Sequence, residues 1–160
     1  MRVTVDLSAQ TLTLWRDEVS SRQWPVSTAA NGPGEISGSG CTPRGRHIIR
    51  AKIGAGMESG TVFRARRIAS DVPRYSDEIA VRYPGRDWIL SRILWLSGCE
   101  VGINRLGCVD TMRRYIYIHG TPHLDALGAP ASHGCIRMGN ADIVELFDLV
   151  LTGTEVTLHE

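Results

Sequence analysis

The sequence predicts a mainly β domain with one amphipathic helix near its C-terminus. Several short stretches alternate apolar and polar residues with the two-residue period of a half-buried strand, and only residues 141–151 repeat with the period of a helix. The composition is 42% hydrophobic and 22% charged, which is enough apolar material for a packed core. A chain of 160 residues fits one domain, so we assign residues 1–160 to a single unit.

The chain opens with an alternation that is typical of a β-hairpin. Val3, Val5 and Leu7 alternate with polar residues, and the pattern resumes at 12–14 after the turn-prone segment 8–10. Residues 24–28 predict a third short strand. The glycine-rich and proline-containing segment 31–40 then indicates a loop.

The next alternation, residues 47–53, predicts another strand and lies in a basic stretch. Residues 44–67 contain seven Lys or Arg residues and one acid, Glu58. A groove for an anionic substrate is one interpretation, but the regular alternation favours a solvated sheet face. Residues 70–87 predict a long excursion that could cover a site, and residues 88–96 fit either a strand or a short helix.

A strand is also predicted over residues 114–119. Alternation would place Tyr115, Tyr117 and His119 on one face. The helix follows Asn140, which we expect to be its N-cap, and carries an apolar stripe before Gly153 ends it: Ile143, Leu146, Phe147, Val150 and Leu151. Residues 155–159 predict the last strand.

Charge and cysteine content exclude some functions. The formal net charge is +1, which lacks the basic excess of a nucleic-acid-binding domain. The four cysteines form no C-x-x-C pair, so a zinc knuckle is not expected. No apolar stretch predicts a membrane span, and polar residues interrupt the first residues where a secretory signal would be apolar. We therefore expect a cytoplasmic protein, or a periplasmic one if a leader precedes this sequence.

The segment Ser132-His133-Gly134-Cys135-Ile136-Arg137-Met138 carries the chemistry. A cysteine thiol has a pKa of roughly 8.5 and needs a nearby base or cation to act as a nucleophile at neutral pH. His119 at the end of a strand is a candidate base, and His133 and Arg137 lie two positions on either side of Cys135. Gly134 permits close approach of a substrate, and the amides of Gly134 and Cys135 could stabilise an oxyanion.

Two other interpretations remain open on these residues alone. Cys135 could be an inert buried thiol with structural histidines around it. A metal site could use His119, His123, His133 and Cys135, although Gly120 and Pro122 prevent the helix that would align His119 with His123.

This segment, preceded by Ile118-His119-Gly120-Thr121, resembles the signature of the YkuD-type L,D-transpeptidase family. The resemblance extends to Val5-Asp6-Leu7-Ser8 with Gln10, to Thr42-Pro43-Arg44-Gly45, and to Gly153-Thr154-Glu155-Val156, and so covers nearly the whole chain. It implies a curved β-sandwich of mixed sheets, with the cysteine at the base of a cleft and one short helix.

The resemblance also implies roles for individual residues. Cys135 would attack and His119 would take its proton, while the Gly120 carbonyl would orient the His119 ring. His133 and the amides of Gly134 and Cys135 would shape the oxyanion site. For substrate binding it implies Arg137, which could equally be a structural ion-pair partner, together with Ser132, which would brace the loop, and Tyr117.

The implied substrate is a peptidoglycan stem tetrapeptide, cleaved after diaminopimelate with release of the terminal D-alanine. No metal or organic cofactor is implied, and carbapenem-type β-lactams are expected to acylate Cys135. Water as acceptor gives L,D-carboxypeptidase activity, which suits a cytoplasmic enzyme of murein recycling. An amine as acceptor gives 3→3 cross-links or exchange of the terminal D-amino acid. A non-catalytic module that only holds stem peptides is a further alternative. Oligomeric state is left open.

Overall fold

A computed structural model describes all 160 residues and shows a ten-stranded mixed sheet. The strands are β1 (Arg2–Asp6), β2 (Thr11–Arg16), β3 (Val19–Pro25), β4 (Gly45–Ile53), β5 (Val62–Arg64), β6 (Arg67–Ile68), β7 (Ile89–Gly98), β8 (Tyr117–Gly120), β9 (Ile136–Met138) and β10 (Glu155–His159). The helices are α1 (Asp77–Arg82) and α2 (Asn140–Leu149), with short 3-10 turns at Gly107–Val109 and Leu124–Ala126. The predicted mainly β fold is confirmed.

The sheet follows the order β3-β2-β1-β10-β4-β7-β5-β6, and β8 joins it beside β7 and carries β9 on its other edge. The β1–β10 and β8–β9 pairs are parallel, and the remaining ladders are antiparallel. One cluster of twenty buried apolar residues includes side chains from β3 at one edge of the sheet, from β9 at the end of the β8–β9 branch, and from α2. The sheet therefore curves around a shared core, which agrees with the expected sandwich.

Most predicted strands are present, but some bounds were wrong. The third strand is Val19–Pro25 instead of 24–28, because it is an edge strand whose residues 19–23 are largely exposed and carry no alternation. The ambiguous stretch 88–96 is a strand and not a helix, since residues 89–96 belong to β7. The strand predicted at 114–119 begins only at Tyr117, since Tyr115 has a φ of 56° and lies in a turn.

The prediction of a single helix was also wrong. The excursion 70–87 contains α1, whose N-cap Ser76 accepts a hydrogen bond from the Ile79 amide. Val72 near the start of this excursion and Trp88 directly after its end pack into a small second core with Val62 and Leu90.

Helix α2 is present, with two corrections. Its N-cap is Gly139, and Asn140 is its first residue. Val150 is the C-cap, so the helix ends before Leu151, which is 73% exposed. No helix in this structure has the length and apolarity that crossing a membrane requires.

Candidate active site

Cys135 lies at the end of a tight loop that leads into β9, and Ser132 holds this loop. The Ser132 hydroxyl donates to the Cys135 carbonyl at 2.6 Å and accepts from the Gly134 amide at 3.2 Å. Thr42 closes the loop from outside by donating its hydroxyl to the Gly134 carbonyl at 2.9 Å. The loop is thus fixed by side chains of the short segment 132–135 and by a distant segment around residue 42.

Gly134 is required at its position for two reasons. Its φ of +136° is unfavourable for any residue with a Cβ. A Cβ there would also lie 3.3 Å from both the Cys41 carbonyl oxygen and the Ile116 side chain. From the sequence, Gly134 was expected to permit the close approach of a substrate. The structure shows that it also permits close packing against residues 41 and 116.

The ladder between β8 and β9 sets the position of the Cys135 side chain. Ile118 pairs with Ile136 and His119 with Arg137, so Cys135 precedes the ladder opposite Tyr117. The Tyr117 amide donates to the Cys135 Sγ at 3.4 Å, and the Sγ–H group donates to the Tyr115 carbonyl at 3.4 Å. Cys135 packs against Tyr117 on one face of the sheet, and His119, two residues after Tyr117 in β8, faces the same side.

His119 is fully buried and has one ring nitrogen without a partner. Its Nδ1 lies 2.8 Å from the Gly120 carbonyl, which can only accept, so Nδ1 carries the proton. Its Nε2 is therefore the unprotonated nitrogen, and it has no hydrogen-bond partner. The Gly120 carbonyl orients the ring as the resemblance implied, but Nε2 and the Cys135 Sγ are not hydrogen-bonded to each other in this structure.

Desolvation favours the neutral form of both groups, with His119 fully buried and Cys135 half-buried. It raises the pKa of the Cys135 thiol to about 12, and the opposing influences of the Tyr117 amide, Arg137 and Arg114 are smaller. Burial also lowers the pKa of His119, more strongly than the Gly120 carbonyl and Asp87 raise it. A resident thiolate–imidazolium pair is therefore disfavoured, and the arrangement suits proton transfer from sulfur to Nε2 during attack.

Of the two backbone amides predicted to face an oxyanion, one already donates a hydrogen bond within the protein. The Gly134 amide donates to Ser132, whereas the Cys135 amide has no acceptor within the protein. The structure therefore leaves the Cys135 N–H as the donor available for a ligand.

Asp87, which the sequence did not single out, lies beside two predicted site residues, Arg137 and His133. Arg137 is 7% exposed and donates to the Asp87 carboxylate at 2.7 Å, with a second bond to the Ala131 carbonyl at 3.3 Å. The His133 Nδ1 lies 3.8 Å from the same carboxylate, and the His133 side chain is 80% exposed. The alternative role for Arg137, as an ion-pair partner, is thus present in the structure.

Two cavities meet at His133. One of about 270 Å³ is bounded by the segment 80–88 and includes Asp87 and Arg137 in its wall. The other, of about 430 Å³, lies between the loop 37–40 and residues 113–116. His133 is the predicted site residue best placed to touch a ligand in either cavity.

The structure places Ser132 and Tyr117 beneath this surface and not on it. Ser132 is 2% exposed and Tyr117 is 4% exposed. The Ser132 hydroxyl is used within the loop, and the Tyr117 hydroxyl accepts from Arg66 at 3.0 Å. The loop-bracing position predicted for Ser132 agrees with these hydrogen bonds, and direct substrate contact by Ser132 and Tyr117 stays a prediction.

Sequence reasoning missed Arg114 as a structural anchor of this region. Its guanidinium is half-buried and donates to the Cys41 carbonyl at 2.6 Å and to the Gly34 and Glu35 carbonyls. These bonds tie the loop 34–41 to the turn that precedes β8. Arg114 was the first residue of the strand predicted at 114–119, but its long-range partners were not visible in the sequence.

The four histidine and cysteine residues considered for a metal site are not gathered into one. No three His, Cys, Asp or Glu side chains are arranged to hold a metal ion. All four cysteines are free thiols.

Comparison with known proteins identifies the family. The model of the YkuD L,D-transpeptidase catalytic domain matches residues 1–158. The Bacillus subtilis protein YkuD is 43% identical over 47 residues, which cover 29% of this chain and 29% of that protein. Only a minor part of that relative is therefore aligned.

Solved structures show the same fold at low sequence identity. L,D-transpeptidase 3 from Mycobacterium tuberculosis aligns over 99% of this chain with a TM-score of 0.60 and 20% identity. The same enzyme in complex with a faropenem-derived adduct gives a TM-score of 0.59 at 19% identity. This chain spans 60% and 59% of those two chains. The match of the family model over nearly all residues shows that the chain belongs to the L,D-transpeptidase catalytic domain family.

Proposed function

We propose that the protein catalyses cysteine-dependent acyl transfer on peptidoglycan stem tetrapeptides, chiefly as an L,D-carboxypeptidase that releases the D-alanine after diaminopimelate. The observation that carries the proposal is the unpartnered, buried Nε2 of His119, on the sheet face that also presents the Cys135 thiol. A buried ring nitrogen without a partner is costly, and its retention favours a role in accepting a proton.

In the first half-reaction the Cys135 side chain leaves the Tyr115 carbonyl and turns towards His119. Nε2 takes the thiol proton while Sγ attacks the diaminopimelate carbonyl carbon, and the carbonyl electron pair moves to oxygen. The Cys135 amide, which has no acceptor in the protein, donates to that oxyanion. When the tetrahedral intermediate collapses, the C–N bond to D-alanine breaks, and the D-alanine amine receives the proton from His119.

In the second half-reaction water attacks the thioester and gives its proton to His119 Nε2. The C–S bond breaks, the sulfur recovers the proton from His119, and the tripeptide leaves with a new carboxylic acid group that loses its proton to water. The ring can serve as base and acid in turn because the Gly120 carbonyl holds the Nδ1 proton in place throughout.

Substrate contact is proposed at His133 and Arg137. His133 is exposed between the two cavities, and Arg137 beside it orients Asp87 while retaining further N–H donors for a substrate carboxylate. Asp87 limits the free positive charge here, so recognition of the carboxylate relies on both residues together.

An L,D-transpeptidase that forms 3→3 cross-links or exchanges the terminal D-amino acid is the second candidate. The two cavities that adjoin His133 favour it, because a donor and an acceptor strand could occupy them at once. The family to which the chain belongs includes such enzymes by name.

The decisive experiment is mass spectrometry of the products from a diaminopimelate-containing tetrapeptide muropeptide. We expect tripeptide and D-alanine from the wild type and from Cys108→Ala, whose thiol is exposed and lies outside the site. Cys135→Ala should give neither. Equal turnover by Cys135→Ala would overturn the proposed nucleophile, and predominance of cross-linked dimers would select the transpeptidase.

Inhibition by a carbapenem-type β-lactam gives an independent test of the nucleophile. Incubation with imipenem should add the mass of one inhibitor to the wild type at Cys135 and none to Cys135→Ala. Solved relatives carry a faropenem-derived adduct or imipenem, and this is a property of those proteins. An adduct on another residue would contradict the assignment.

The recycling role is part of the proposal and implies a cytoplasmic location with soluble muropeptides as substrates. Fractionation of cells that produce the protein from its own gene tests this part. Detection of the protein in the cytoplasmic fraction supports recycling, whereas a periplasmic or wall-bound protein would favour the transpeptidase.

A further inference from the structure

A basic cavity lies outside the group formed by Cys135, His119 and His133. A cavity of about 230 Å³ between β4, the end of β7 and the segment 105–113 is lined by Arg50, Arg105 and Arg113. None of these three guanidinium groups forms an ion pair with a carboxylate. Three unpaired cations in one small cavity create a strongly positive local potential.

The single acid in the cavity wall does not offset this charge through contact. Asp110 is 5% exposed, and its carboxylate accepts from the Leu106 amide at 2.7 Å and the Arg113 amide at 2.9 Å. These bonds shape the turn that presents Arg113, and the Asp110 carboxylate forms no ion pair with any of the three guanidinium groups, although the Arg113 charge acts on it. The wall has a formal charge of +2, from three cations and one anion.

A series of side-chain contacts leads from this cavity towards the candidate nucleophile. Arg50 also lines a neighbouring cavity of about 600 Å³, whose floor includes Trp95. The guanidinium groups of Arg50 and Arg66 lie 5.3 and 4.9 Å from the Trp95 ring centre. The Tyr115 ring lies 6.1 Å from that of Trp95, and the Tyr115 carbonyl contacts the Cys135 Sγ.

We propose that the cavity lined by Arg50, Arg105 and Arg113 binds an oxyanion group, phosphate or carboxylate, on the part of the substrate distant from the scissile bond. The inference rests on the proposed function, because Cys135 defines which bond is attacked. Arginine is suited to this role since its planar fork of donors matches both phosphate and carboxylate. The part of the substrate between the scissile bond and the anionic group would lie against Trp95, in the floor of the neighbouring cavity.

The source of the anion distinguishes two kinds of substrate. A diphosphate belongs to nucleotide- or lipid-linked precursors, and carboxylates belong to the stem peptides themselves. A charge of +2 in the wall suits a dianionic group of either kind, so both are compared in the test.

The test measures anion binding to the Cys135→Ala protein by calorimetry, with inorganic pyrophosphate and glutarate as separate probes. Arg105→Gln and Arg113→Gln should each weaken binding about tenfold, the loss expected for one charged hydrogen-bonding partner. Arg46→Gln is the matched control, because Arg46 is exposed on β4 without an ion pair and lies outside the cavity. Tighter binding of pyrophosphate identifies phosphate as the ligand, and tighter binding of glutarate identifies carboxylates.

Absence of binding by both probes, or equal binding to all variants, would overturn the inference. Turnover separates it from the proposed function. With a nucleotide-diphosphate-linked tetrapeptide, or with a muropeptide that carries several carboxylates, Arg105→Gln should raise KM about tenfold with kcat unchanged, because Arg105 lines only this cavity. If anions bind as expected but no substrate is cleaved, the proposed function fails and the anion site remains.

Discussion

At the scale of single residues, the site depends on keeping a thiol and an imidazole neutral. Burial disfavours the charged form of each group, so the pKa of Cys135 is raised and that of His119 is lowered. Sequence motifs identify the two residues but not their protonation states, because desolvation is set by the surrounding strands.

The raised pKa of Cys135 predicts how its alkylation depends on pH. Below a pKa of about 12 the thiolate fraction grows with pH, so the iodoacetamide rate at Cys135 should rise about tenfold per pH unit from 7 to 9. Peptide mapping by mass spectrometry gives the rate at each cysteine, with exposed Cys108 as internal comparison. A rate that is already at a plateau at pH 7 would indicate a resident thiolate and contradict this assignment.

Gly120 predicts a steric effect behind the His119 ring. A Cβ at position 120 would lie 2.7 Å from the Leu90 carbonyl oxygen and would also collide with the Asn140 side chain. Gly120→Ala should therefore destabilise the protein by roughly 1–3 kcal/mol and reduce kcat by displacing the carbonyl that orients His119. Urea unfolding and steady-state kinetics measure the two effects.

Gly139→Ala is the comparison for that variant. The nearest atom to a Cβ there is the mobile end of the Asp142 side chain, at 2.9 Å. We expect its kcat to stay at the wild-type value. Equal losses of kcat in both variants would show that position 120 has no special effect on the ring.

At the scale of secondary structure elements, the basic side chains of β4 lie in two different environments. Arg46 and Arg50 are exposed, as a solvated sheet face predicts, but Lys52 turns inward after a bulge between Ile49 and Ala51. The Lys52 Nζ donates to the Phe147 and Val150 carbonyls, each at 2.6 Å, and lies over the Phe147 ring. A cation thus caps the C-terminal end of α2, where the helix dipole is negative.

Lys52→Met keeps the apolar stem and removes this cap. We expect the free energy of unfolding to fall by about 1–3 kcal/mol, since two buried carbonyls lose a charged donor. Chemical denaturation followed by circular dichroism measures the change. Arg46→Met on the same strand should change stability by less than about 0.5 kcal/mol, and a loss as large as that of Lys52→Met would refute the capping role.

At the scale of the whole molecule, stability should depend on pH through buried histidines. His47 is fully buried, with Nδ1 3.0 Å from the Gly45 carbonyl and Nε2 3.0 Å from the Thr111 hydroxyl. Burial lowers the pKa of His47 from 6.5 to about 4. Between these values the unfolded chain binds a proton that the native protein does not, so stability falls as pH decreases.

The expected loss from this one group between pH 6.5 and pH 4 is on the order of 3 kcal/mol. Urea unfolding at intervals between pH 4 and pH 7.5 measures it. In His47→Gln the free energy of unfolding should change less steeply with pH. The pH dependence that is left then comes from other groups, among them His119. An unchanged slope in His47→Gln would exclude His47 as a source of the pH dependence.

The sequence by itself determined the mainly β class, the opening hairpin, the C-terminal helix and the segment around Cys135. These features are local, because alternation, helical period and a short motif are each contained in a few consecutive residues. It also located His119 and Gly120, whose mutual hydrogen bond joins adjacent positions.

Only the tertiary structure decided what surrounds these residues. The partnership of Arg137 with Asp87 spans fifty positions, and that of Thr42 with Gly134 spans ninety-two. The burial of Tyr117 and Ser132, the free amide of Cys135 and the grouping of Arg50 with Arg105 and Arg113 likewise depend on strands that are distant in sequence. Periodicity records which way a side chain points, but desolvation and ion pairing depend on what packs against it.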